Sequence, residues 1–163
     1  MAQFNVERRG AVRLAGAPVD VTLDTIGERV GPAMDRIHAQ LTQAGIDVQG
    51  AGVLRYAAVS RTEPFAVGVA FVVPADAAVP DPLRVTDTPV GMYAVARQYG
   101  AYAWIGGLTR ELMEWARNQG LDLARSNHHG QDVWECWYES YTEAPVEGPE
   151  GLEGPVEIAI KVA

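Results

Sequence analysis

The chain carries one cysteine, Cys136, and one lysine, Lys161, in 163 residues. A lone cysteine excludes an internal disulfide and a cysteine-based metal cluster. On a predicted strand, facing opposite to the glutamates, it reads as a small buried hydrophobe rather than a nucleophile. Positive charge is scarce overall. Lys+Arg number 13 against 21 Asp+Glu, a formal net charge of −8. A nucleic-acid surface needs a basic patch to meet phosphates, so no direct nucleic-acid binding is expected. No apolar run is long enough to span a membrane, and no charged n-region precedes an apolar h-region. The expectations are no membrane contact and a cytoplasmic location. Histidine is limited to His38 and the adjacent pair His128-His129. Neighbouring loop histidines point apart and no third ligand stands at familiar spacing, so neither a metal nor another cofactor is expected.

What is present suits a globular chain: 48% hydrophobic and 21% charged residues. At this length a single domain, 1–163, is expected. The charge is uneven. Residues 1–130 hold 12 Lys+Arg and 13 Asp+Glu, whereas residues 131–163 hold 1 and 8. Glu143, Glu147, Glu150 and Glu153 read as solubilising a Gly/Pro-rich loop.

The acidic excess begins at Trp134-Glu135-Cys136-Trp137-Tyr138-Glu139-Ser140-Tyr141, which packs four aromatics and two glutamates into one predicted strand. Period-2 geometry puts Glu135, Trp137, Glu139 and Tyr141 on one face and Trp134, Cys136, Tyr138 and Ser140 on the other. A carboxylate beside aromatic rings suits a flat, apolar, cationic small molecule. Glu139, Trp137, Tyr141 and Glu135 are therefore the first candidate ligand contacts. Tyr56, Tyr93, Tyr102 and Trp104 are secondary ones, and Trp115 belongs to a helix stripe.

The remainder repeats an order of strand, helix, strand, strand. Phe4 to Leu14 reads as irregular and extended. Ile26, Val30, Met34, Ile37 and Leu41 recur at helical spacing, with Gly45 as the stop. Strand-like runs follow at 52–59 and 65–73. Residues 75–86, with their prolines and aspartates, form the predicted linker between half one (1–74) and half two (87–163). The second half opens with a strand near 90–97. Ile105, Leu108, Leu112 and Trp115 or Ala116 form a second helical stripe ending at Gly120, before the aromatic strand and a closing strand at 156–162. The expected fold is α+β, with two pseudo-twofold-related β-α-β-β units, an antiparallel sheet, two main helices and a ligand cleft between the halves.

The run 88–95 (Thr88-Pro89-Val90-Gly91-Met92-Tyr93-Ala94-Val95), Tyr99-Gly100-Ala101-Tyr102, and the helix ending Trp115-Ala116-Arg117-Asn118-Gln119-Gly120 resemble the GyrI-like effector-binding domain of multidrug-responsive transcription regulators. The closing portion fits as well. Glu139-Ser140-Tyr141 to Pro145 resembles the family's Glu-x-Tyr-x-x-x-Pro segment, and Gly154 to Val162 its final strand, with Lys161 where the family has proline. The first half agrees through its helix and Pro64 to Pro74. The resemblance implies a cleft faced by a central glutamate, aligned by Pro145 on Glu139. With no helix-turn-helix preceding residue 1, it implies a stand-alone member, a monomer or homodimer, with a possible protein partner acting in trans.

Three functions come with the resemblance. The first is a non-catalytic binder of aromatic, often cationic, compounds. The second is a hydrolase opening cyclopropane rings of DNA-alkylating natural products, with Glu139 as general base and Tyr93, Tyr102 or Tyr141 polarising a carbonyl. The third is an inhibitor of DNA gyrase, as the family's namesake is.

Overall fold

The computed structural model describes residues 2–163. In chain order the elements are β1 (Gln3–Arg9), β2 (Arg13–Val21), α1 (Ile26–Gln43), β3 (Gln49–Val59), β4 (Phe65–Val72), β5 (Arg84–Asp87), β6 (Gly91–Ala101), α2 (Ile105–Asn118), β7 (Arg125–His128), β8 (Gln131–Tyr141), β9 (Val146–Gly148) and β10 (Gly151–Lys161). A single 3-10 turn, Tyr102–Trp104, leads into α2. No helix among the described residues is long and apolar enough to cross a membrane.

Both helices form where the apolar stripes predict them and end in the same way. Gly45 and Gly120 take left-handed φ of 75° and 74°. The next amide in each case donates back to the last turn, Ile46 to Leu41 O and Leu121 to Ala116 O, at 3.0 Å each. Glycine supplies the φ that this helix stop requires.

All the strands join one antiparallel sheet in the order β1-β6-β10-β8-β3-β4-β2-β5, with β7 on β8 and β9 on β10. The core of that order, β6-β10-β8 followed by β3-β4-β2, is symmetric about the β8/β3 junction. Strand β2 corresponds to β6, β3 to β8, and β4 to β10, with α1 and α2 as the matching helices. This is the expected pair of β-α-β-β units.

The segment expected to be irregular, Phe4 to Leu14, is instead two strands placed far apart in the sheet. β1 pairs with β6 of the second half, and β5, in the expected linker, pairs with β2 of the first. Each half therefore lends its leading strand to the other. Only Gly10-Ala11-Val12 separates β1 from β2, a reach of at most about 15 Å. In a flat sheet those strands would stand about 29 Å apart, at ~4.8 Å per step. The sheet must curl until its ends meet. The two crossings are tied together where they meet, Val12 N–H to Thr88 Oγ1 at 2.9 Å and Thr88 N–H to Val12 O at 3.0 Å.

The curl explains why both faces are buried. One face packs under the helices: Ile37, Leu41, Leu108, Leu112 and Ala116 meet Val67, Val69, Ala96, Ile158 and Ile160. The other has no helix over it, yet Tyr93, Val95, Ala159, Cys136 and Tyr138 are buried there. Curling brings these residues against one another. A linked set of ion pairs lies on this inner face, Arg9 to Glu7 and Glu157 at 2.8 and 2.6 Å and Arg97 to the same two glutamates at 2.9 and 2.7 Å. Arg9 also donates to the Tyr138 hydroxyl at 2.9 Å, which fastens β1 to the sheet.

Candidate functional site

Helix α1 lies over β2 and β4, and α2 over β6. The strip between the helices is therefore floored by β10, β8 and β3, at the junction of the halves. Glu139 projects from β8 onto this strip. Its cross-strand neighbours are Leu54 on β3 and Ile158 on β10, both apolar and buried. Two residues away on either side stand Trp137 and Tyr141, and Tyr56 lies opposite Trp137. The carboxylate is 4% exposed, and no cation of the described residues pairs with it.

A carboxylate so placed resists ionisation. Burial pushes the Glu139 pKa up from 4.5 to about 7, and hydrogen bonding only partly offsets this. The Tyr141 hydroxyl donates to Oε2 at 2.9 Å. The Tyr56 hydroxyl favours the charged form in the same sense, without a bond of comparable geometry. Burial and the adjacent carboxylate hold both phenols well above their ordinary pKa, so they remain donors.

The rings around Glu139 form two contacting groups, one on either side of it along β8. Tyr56 and Trp137 stack at 4.3 Å and 27°, Trp137 meets Trp134 edge-to-face at 5.2 Å and 70°, and Tyr141 meets Tyr102 at 5.1 Å and 52°. On the far side of Trp134 the Arg125 guanidinium lies 5.3 Å from its ring.

The structure thus brings together five of the sequence candidates: Glu139, Trp137, Tyr141, Tyr56 and Tyr102. It separates three. Tyr93 is on the inner face of the curl, donating to Pro89 O at 2.7 Å and packing on Tyr138. Trp104 is 48% exposed, and its ring covers Gly100. Glu135 does not share the face of Glu139. Between Tyr56↔Trp137 and Ala58↔Val133, two residues of β3 span four of β8, so β8 bulges and its alternation breaks. Glu135 therefore turns to the inner face, where Lys161 pairs with it at 3.3 Å. The same bulge turns Trp134 toward Trp137. Strict alternation places that residue on the opposite face, and no local signal in the sequence marks the bulge.

Two open depressions lie elsewhere. One of about 560 Å³ is lined by Glu7, Arg8, Arg9, Gly10, Val12 and Tyr138, and one of about 500 Å³ includes Phe4, Glu111, Glu114 and Trp115. Size alone would favour them. In the first, however, Arg9 and Glu7 already neutralise each other, and in the second both glutamates are solvated. Glu139 is the buried carboxylate without a cationic partner among the described residues, which makes its surroundings the candidate site.

No family model matches the sequence, and no curated protein does. Solved structures do match. The C-terminal domain of EcmrR is 14% identical with a TM-score of 0.67, covering 100% of this chain and 98% of that one. SAV2435 bound to tetraphenylphosphonium is 12% identical with a TM-score of 0.61, covering 99% and 94%. A hydrolase from Listeria innocua is 11% identical with a TM-score of 0.61, covering 99% and 92%. The likeness establishes the fold. It is an antiparallel sheet with two helices, built as the pair of β-α-β-β units that the resemblance to GyrI-like domains implies, and at these identities the likeness carries no more than that.

Proposed function

We propose that this protein binds aromatic, cationic small molecules in the cleft between its halves, with Glu139 as the counter-charge. One observation carries the reading: a carboxylate buried beside the rings of Tyr56, Trp137 and Tyr141 with no cationic partner among the described residues. Leaving such a group unpaired costs free energy that a bound cation would recover. The stacked rings of Tyr56 and Trp137 would part to admit a flat ligand, each cation–π contact adding about 0.5–2 kcal/mol. The phosphonium complex of SAV2435, on the same fold, supports this reading.

The test compares two probes of the same shape, para-(trimethylammonio)diphenylmethane and para-(tert-butyl)diphenylmethane, on wild type and Glu139→Gln. The reading expects the cation to bind more tightly than its neutral twin, and the preference to vanish in the variant. Equal binding of both probes to wild type would overturn it.

A second reading, hydrolysis, is favoured by the Glu139 pKa near neutrality and by the hydroxyl of Tyr141 beside it. Here Glu139 takes a proton from water, whose oxygen bonds to a ring carbon of a strained cyclopropane. The carbon–carbon bond breaks, its electron pair moves to a conjugated carbonyl, and a phenol protonates that oxygen. Tyr141 or Tyr102 would be that phenol, since Tyr93 lies on the other face. Product carrying one added water, absent with Glu139→Gln, would distinguish this reading from simple binding.

A further inference from the structure

Trp134 is 5% exposed, yet its indole Nε1–H is buried without an acceptor among the described residues. The same holds for the Nε1–H of Trp137, whose ring it touches, and for the Tyr102 hydroxyl beyond Tyr141. Buried donors are nearly always paired, and one left without an acceptor is destabilising. Of the four such side-chain atoms among the described residues, three belong to the rings around Glu139, and the fourth, Arg13 Nε, is on β2. Apolar residues would serve better if the cleft were only core, and an indole N–H cannot accept, so the pattern selects for acceptors.

We infer that the ligand of this cleft carries a carbonyl-type oxygen, received by the indole N–H groups of Trp134 and Trp137. The inference rests on the binding reading above and sharpens its ligand class. Trp137 and Glu139 are two residues apart on one strand, about 7 Å along it. The oxygen therefore lies about one aromatic ring away from the positive centre that meets Glu139. An aromatic cation with a para-related ketone, ester or amide has this arrangement, whereas a purely hydrocarbon cation leaves both indoles unpaired.

The probes are para-(trimethylammonio)benzophenone and para-(trimethylammonio)diphenylmethane, which share the charge and rings and differ in C=O against CH2. The ketone is expected to bind wild type about tenfold more tightly. In Trp137→Phe and in Trp134→Phe the ketone and the diphenylmethane should bind equally, whatever the affinity that each variant keeps for the rings and the charge. Should either variant fold poorly, the wild type gives a direct readout: the ketone alone should move two indole N–H proton signals downfield. Equal affinity for both probes with unmoved indole signals would overturn the inference while leaving the binding reading intact. Failure of both probes to bind would instead sink the binding reading, and the inference with it.

Discussion

The Tyr141 hydroxyl donates a 2.9 Å hydrogen bond to the carboxylate of Glu139, two residues away on the same strand. Because both side chains point to the same face of β8, the donor is held in place by the pleat itself. The bond lowers the Glu139 pKa, but burial between Leu54 and Ile158 outweighs it, and the group titrates at about 7. Four consequences can be measured.

The first concerns stability against pH. The folded pKa lies above the unfolded value of 4.5, so the folded chain holds the proton more tightly. The contribution of Glu139 is therefore fully present below about 4.5 and is lost as pH rises through about 7. Glu139→Gln, which cannot ionise, should be more stable than wild type above neutrality, by on the order of 3 kcal/mol. The gap should close near pH 4.5. Urea midpoints of both proteins across this range check it, and parallel curves would contradict it.

The second concerns protons released on binding. A cation favours the ionised carboxylate, so its affinity should climb with pH up to about 7 and level off above it. Near pH 6 the binding heat should vary with the ionisation enthalpy of the buffer, since Glu139 gives up its proton. A neutral probe should show no such release.

The third concerns Trp137. Trp137→Ala removes the partner stacked on Tyr56 and one wall of the cleft. Affinity for aromatic probes should fall at least about tenfold regardless of charge. Loss of fold with unchanged residual binding would assign Trp137 to the core instead.

The fourth concerns the close approach of β2 to β4. A Cβ on Gly16 of β2 would run into the Val69 carbonyl oxygen and Ala70 Cα of β4, backbone atoms that cannot swing aside. Gly16→Ala should destabilise the protein by more than about 3 kcal/mol. Gly106→Ala, with open space at its Cβ, is the control and should be neutral or stabilising. Thermal melts of the two variants decide it.

Much of this is legible in the sequence. The two helices showed in their apolar stripes and glycine stops, because helix periodicity and C-capping are local. The aromatic strand with Glu139 showed through period-2 spacing. What stayed hidden is non-local. Nothing in Gln3–Arg9 says that it pairs with Gly91–Ala101, or that Arg84–Asp87 crosses the other way; that exchange follows from the curl. Tyr93 looked like a cleft residue because resemblance and composition do not say which face of a curled sheet a strand presents. Trp134 and Glu135 changed places through a bulge set by the register against β3.

The central claim is that the buried charge of Glu139 selects cationic ligands. Its most direct test is calorimetric titration at pH 8 of para-(trimethylammonio)diphenylmethane and its tert-butyl twin into wild type and Glu139→Gln. The account predicts a preference for the cation in wild type of about tenfold or more, and none in Glu139→Gln. A preference that survives the substitution, or one that wild type never shows, would contradict it.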